Sequence, residues 1–287
     1  MNIQHKEAGF LSLGPKGFHR IAYTQWGNGD SKRVVVCVHG LTRNGRDFDD
    51  LAEDLTSDFR VACPDLPGRG HSHWLSDPQD YVMPVYMADM AALIAHLGVE
   101  QVDWIGTSLG GLIGMMLAAQ PNSPIRSLVI NDVGPVIPRK AIKRIASYAG
   151  HKEPFSDFAS LKTHLMNVGA TFGPMTDEQW DRLCRHSARQ NDDGSWRMHY
   201  DPAISIPFRK LRFKRFNLWP VWEAITCPVL ILRGELSDVL PRDIAEKMLT
   251  RGPSADLVEI PGVGHAPALM DKIEIKTVGN WLRAQRP

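Results

Sequence analysis

The chain has 287 residues, 43% of them hydrophobic and 23% charged, with 33 Lys and Arg against 32 Asp and Glu. This balance excludes a disordered or collagen-like chain, and its size is enough to bury a core without covalent staples. A formal net charge of +1 gives no global attraction for nucleic acid.

The elements begin with a hairpin. FLSLG and HRIAYTQWG are short segments joined by Gly14-Pro15-Lys16-Gly17. RVVVCVHG is apolar almost without interruption, which predicts a central strand buried on both faces. Phe48, Leu51, Ala52 and Leu55 recur at helical spacing, and FRVACPD forms the next strand. A helix is predicted over Val82 to Leu97, a strand over VDWIGTS, a helix over Leu109 to Ala119 and a strand over IRSLVIND. Alternating strands and helices argue for an α/β fold with a mostly parallel sheet flanked by helices.

The rhythm breaks over residues 135–219, where helices are predicted over segments such as Arg139 to Tyr148 and Glu178 to His186 but no clear buried strand is found. Residues 139–219 carry 15 Lys and Arg against 8 Asp and Glu, a net +7, whereas the rest of the chain is −6. The contrast predicts a helical cap inserted into a core made of residues 1–134 and 220–287. The alternation then resumes with the strand PVLILRG, a helix from Pro241 to Leu249, the strand ADLVEIP and a final helix ending near Arg283.

The sharpest local signal is Gly106-Thr107-Ser108-Leu109-Gly110, between a strand and a helix. A serine in this setting occupies a strained turn that lifts its hydroxyl above the sheet, and the helix directs its amino end at developing negative charge. Such a nucleophile needs a base and a group to orient that base. His265, in the loop PGVGH, supplies the base. Asp238, in the loop GELSD, is the expected acid, with Asp132 at the end of LVIND as the alternative. The backbone amides of Leu41 and Leu109 are the expected oxyanion donors. His39 is expected to brace its loop, and Arg43 either holds that loop or meets a substrate carboxylate.

Together, VVVCVHGLTRNGRDFDDLA, RVACPDLPGRGHS, VDWIGTSLGGLIGMMLAA, VLILRGELSDVL and IPGVGHAP resemble the α/β-hydrolase family with a cap, over about residues 19–134 and 220–285. The resemblance is to bacterial carboxylesterases and to carbon–carbon-bond hydrolases of ring-cleavage products. It implies the nucleophile at Ser108, the acid at Asp238, the base at His265 and oxyanion donors at Leu41 and Leu109. Haloalkane dehalogenases and epoxide hydrolases carry an aspartate where this chain has Ser108, which argues against both chemistries. The expected reaction is acyl transfer from a small to medium apolar ester to water, with a vinylogous diketone as the alternative substrate. Neither an organic cofactor nor a metal is expected.

The substrate pocket is expected under the cap, with Val136, Ile137, Leu165, Met166, Phe172, Met175, Trp180, Phe208 and Trp219 as candidate walls. His71 and His73 near Asp65 read as part of a Gly/Pro-rich loop rather than a metal site. The basic stretch FRKLRFKRFNLW, with five Lys and Arg from Arg209 to Arg215, reads as a cap surface or a contact with the acidic core. Four scattered cysteines show no metal-site spacing, and Cys37, Cys63 and Cys227 read as small buried hydrophobes. The first residues lack a signal-peptide pattern, and the 11-residue run Leu109–Ala119 is too short to span a bilayer. The expectation is a cytoplasmic monomer or small homo-oligomer with no nucleic-acid partner and no stable membrane insertion.

Overall fold

The computed structural model describes residues 5–29, 31–211 and 217–285. The expected hairpin is β1 (Lys6–Gly14) and β2 (Gly17–Trp26), antiparallel and closed with Gly14 opposite Gly17. It leads into β3 (Val34–Val38), α1 (Asp49–Leu55), β4 (Arg60–Pro64), α2 (Met83–His96), β5 (Val102–Thr107), α3 (Leu109–Ala118) and β6 (Ile125–Asn131). After an insertion come β9 (Val229–Gly234), α9 (Arg242–Thr250), β10 (Ala255–Ile260) and α10 (Lys272–Ala284). These strands form one sheet in the order β1-β2-β4-β3-β5-β6-β9-β10. The hairpin joins β4 antiparallel, and every pairing from β4 to β10 is parallel.

The near-continuous apolar run of β3 has a direct cause. Val34, Val36 and Val38 enter a core with α2 residues Met90 and Leu93 and α3 residue Ile113. Val35 and Cys37 enter the core on the other face, with Leu51 and Leu55 of α1 and Val278 and Leu282 of α10. A strand covered on both faces has no polar side, so period-two alternation disappears. Fully burying each such side chain contributes about 1.5–3 kcal/mol. Cys37 and Cys63 are buried there as expected, and Cys184 is buried in the first core.

The insertion runs through α4 (Arg139–Tyr148), α5 (Phe158–Val168), α6 (Asp177–Ser187), the strands β7 (Ala188–Gln190) and β8 (Trp196–Met198), and α7 (Ser205–Leu211). It closes with α8 (Trp219–Glu223). It is not wholly helical, because β7 and β8 pair as a small antiparallel hairpin. Gly194 turns that hairpin at φ +85, and the amide of Asn191 donates to the carbonyl of Ser195 at 2.8 Å.

Basic side chains of the insertion meet acidic ones of the core. Arg144 on α4 pairs with Asp238, and Arg182 on α6 pairs with Asp50 on α1. Backbone bonds add to this: the amide of Gly70 donates to the carbonyl of His199 at 3.0 Å, and that of Asp201 to Gly68 at 2.7 Å. Part of the expected basic stretch, residues 212–216, lies outside the described residues. Among the described residues, no helix is long and apolar enough to cross a membrane.

Candidate active site

Four loops at the C-terminal edge of the parallel strands meet around Ser108. Ser108 sits between β5 and α3 at φ +52, a left-handed conformation uncommon for a residue with a Cβ. The turn is possible because its flanking glycines allow close backbone approach. A Cβ on Gly106 would lie 2.3 Å from the backbone of Gly110, and one on Gly110 would lie 1.9 Å from the carbonyl oxygen of Val38. The amide of Ser108 donates to the carbonyl of Asn131 at 2.9 Å, which fixes the turn to the end of β6.

Ser108 Oγ lies 3.0 Å from His265 Nε2, and His265 Nδ1 lies 2.9 Å from Asp132 Oδ2. With Nδ1–H donating to the carboxylate, Nε2 is the free acceptor that faces the serine hydroxyl. Asp132 is fully buried at φ +59 and His265 is buried beside it. The other carboxylate positions are also filled. The amide of Gly234 donates to Oδ1 at 2.9 Å, and Ser237 Oγ donates to Oδ2 at 2.7 Å. Ser237 Oγ in turn accepts from the amides of Val239 and Leu240.

The acid expected at Asp238 is therefore corrected: the carboxylate bonded to His265 is that of Asp132. Asp238 is instead held by Arg144, with Nε and Nη2 donating to its two oxygens at 2.7 and 2.6 Å. Burial raises the pKa of Asp238, but the Arg144 guanidinium outweighs that and leaves it below the usual carboxylate range. Ser237 escaped notice in the sequence, although it lies one residue before the expected acid.

The loop after β3 brings Leu41 to the cavity above Ser108, which Leu109 at the first position of α3 also lines. The first amides of a helix have no carbonyl to receive them within the helix, so that of Leu109 is available to a ligand. His39 braces this loop as expected: Nδ1–H donates to the carbonyl of Gly40 at 2.7 Å, and Nε2 accepts the amide of Leu66 at 2.9 Å. Burial drives its pKa down to about 3, so it stays neutral. Asp65 accepts the amides of Gly45 and His71, which ties down the Gly/Pro-rich loop.

The cavity measures about 140 Å³. Of the expected cap residues, Ile137, Leu165, Phe172 and Phe208 line it, whereas Val136, Met166, Met175, Trp180 and Trp219 do not. Trp180 is buried and packs within the core, Met166 is exposed, and Trp219 lies under Arg251. Ile142, Ile145 and Tyr148 were missed, yet their spacing of three along α4 puts them on one face above Ser108. Thr42, Arg43, Thr107, His164 and Tyr200 add polar groups to the walls.

Residues 35–273 match the alpha/beta hydrolase family. The chain belongs to that family. This α/β hydrolase is 47% identical over 276 residues to a 3-hydroxybutyrate-oligomer hydrolase from Cupriavidus necator, covering 93% of this chain and 94% of that one. Its structure is similar to that of a hydrolase from Rickettsia typhi, with a TM-score of 0.91 and 32% identity over 99% of this chain and 100% of that one. An α/β hydrolase from Novosphingobium aromaticivorans superposes with a TM-score of 0.87 at 35% identity, covering 99% of both chains.

Proposed function

We propose that this α/β hydrolase is a serine esterase that cleaves short linear esters of 3-hydroxy acids through an acyl-serine intermediate. The observation that carries the reading is the unbroken line of hydrogen bonds from Ser108 through His265 to Asp132, beneath an apolar cavity. In this reading His265 Nε2 removes the hydroxyl proton as Ser108 Oγ attacks the ester carbonyl. The oxyanion forms against the amides of Leu41 and Leu109, donors fixed in advance, and loss of one such donor typically costs about 3–4 kcal/mol of barrier reduction. His265 then protonates the leaving alkoxide and later takes a proton from the water that releases the acid. Asp132 keeps Nδ1 protonated throughout and stabilises the imidazolium.

The similarity to the 3-hydroxybutyrate-oligomer hydrolase along nearly the whole chain supports the choice of substrate class. Apolar walls with a few polar groups suit methyl-branched chains that carry ester carbonyls at intervals. The test combines a fluorophosphonate label, peptide mapping and titration of acid released from 3-hydroxybutyrate dimer and trimer. The expected result is a label on Ser108, release of acid from the oligomers, and a loss of at least about a thousandfold in kcat for Ser108→Ala with an unchanged circular dichroism spectrum. Activity of Ser108→Ala within tenfold of wild type contradicts the nucleophile. A vinylogous ring-cleavage diketone turned over a hundredfold more efficiently than any ester selects carbon–carbon cleavage instead.

A further inference from the structure

Arg43 has one guanidinium edge committed and one edge open. Its Nε and Nη2 donate to the Asp47 carboxylate at 2.8 and 2.5 Å, which answers the question of whether it holds the loop. Its Nη1 makes no hydrogen bond within the described residues and is not among their sealed-off unpaired atoms. Arg43 lines both the main cavity and a smaller chamber of about 50 Å³. The two spaces share Arg43, Thr107, Phe172 and Ala266, so they adjoin beside Ser108 and His265, the chain neighbours of Thr107 and Ala266. Among the described residues lining the main cavity, Arg43 is the one Lys or Arg. His164 also lines the main cavity, and burial lowers its pKa, with His151 reinforcing the effect.

We propose that the open edge of Arg43 receives the free carboxylate of the substrate and sets a preference for acidic esters over neutral ones. This assignment rests on the hydroxy-acid ester reading above. In an oligomer of a 3-hydroxy acid, the terminal carboxylate lies three bonds beyond the oxygen of the last ester linkage. A group at Arg43 therefore addresses the leaving unit when that linkage faces Ser108. Guanidinium suits this role because its planar fork can pair with two carboxylates at once, and Asp47 holds the plane before substrate arrives. Asp47 also cancels the charge, so recognition comes from short, charge-assisted hydrogen bonds rather than a long-range field.

The test compares the 3-hydroxybutyrate dimer with its terminal carboxamide, using wild type and Arg43→Gln. Wild type is expected to favour the acid by at least about tenfold in kcat/KM, mostly through KM, a gain in line with charge-assisted hydrogen bonds. Arg43→Gln is expected to bring the ratio to within about threefold of one. Cleavage of both dimers by wild type with a ratio near one, or a wild-type preference that Arg43→Gln leaves unchanged, overturns the assignment alone. Cleavage of p-nitrophenyl butyrate but of neither dimer overturns the oligomer reading and this assignment together. Should Arg43→Gln fail to fold, inhibition of wild-type p-nitrophenyl butyrate turnover decides. Butyrate inhibiting at a tenfold lower concentration than butyramide supports Arg43 as the carboxylate site, and equal inhibition overturns it.

Discussion

The hydroxyl of Ser237 donates to Asp132 and accepts two backbone amides, so one small side chain ties the acid to the loop after β9. Arg233 anchors the same loop from below, with Nε donating to the carbonyl of Leu240 at 2.9 Å and Nη2 to that of Glu235 at 3.1 Å. Ser237 does not line the cavity, which makes it a positioning residue in the proposed mechanism. Hydrogen bonds to charged groups are worth roughly 1.5–3 kcal/mol. Ser237→Ala should accordingly lower kcat by about tenfold or more with KM for a short ester within about twofold, and Ser237→Thr should restore most of kcat. Steady-state kinetics on the three proteins check this. An unchanged kcat in Ser237→Ala contradicts the role. Asp132 itself was half legible: it ends a strand at the reacting edge, and aspartate tolerates the left-handed turn at φ +59 better than most residues. The choice between it and Asp238 was not legible, because it depends on Arg144, 94 residues away in sequence.

At the scale of elements, legibility follows burial. The strands β3, β4, β5, β6 and β9 carry apolar runs because each lies inside the sheet. The strand–turn–helix at Ser108 was readable because its glycines are required by backbone contact. The hairpin β7–β8 was not, since three-residue strands reading Ala-Arg-Gln and Trp-Arg-Met are too short for alternation to register. The walls of the cavity were partly readable. Amphipathic α4 buries Ala141, Ile142 and Ile145, but its sequence does not reveal that this face lies over Ser108. Asp238 and Arg144, both more than a third exposed, form a pair whose net contribution to stability is small. Its structural consequence is orientation: it fastens α4 to the loop carrying Ser237 and Val239.

Over the whole molecule, basic side chains of the insertion meet acidic ones of the remainder at Arg144–Asp238 and Arg182–Asp50. A second global property comes from Glu274 near the start of α10. Burial raises its pKa from 4.5 to about 7, against the amide of Leu269, which donates to it. The folded state therefore holds a proton that the unfolded state releases between about pH 4.5 and 7. This contribution to stability is present below the unfolded pKa and is lost as pH rises through the folded one. The melting temperature of Glu274→Gln minus that of wild type should thus increase by at least about 2 °C from pH 5 to pH 8. Calorimetry at the two pH values checks it, and a difference that is flat or falls contradicts the burial argument. The proposed catalytic centre also depends on the whole chain, since Ser108, Asp132 and His265 come from three loops and meet only in the folded sheet. Which carboxylate holds His265 is tested most directly by kcat/KM for one short ester at pH 8 in Asp132→Asn and Asp238→Asn, with thermal melts to confirm folding. Asp132→Asn should lose at least about a thousandfold, since the analogous change in a serine protease costs about 10⁴, and Asp238→Asn should stay within about tenfold of wild type. A folded Asp132→Asn within tenfold of wild type, beside a severe loss in Asp238→Asn, would contradict the assignment.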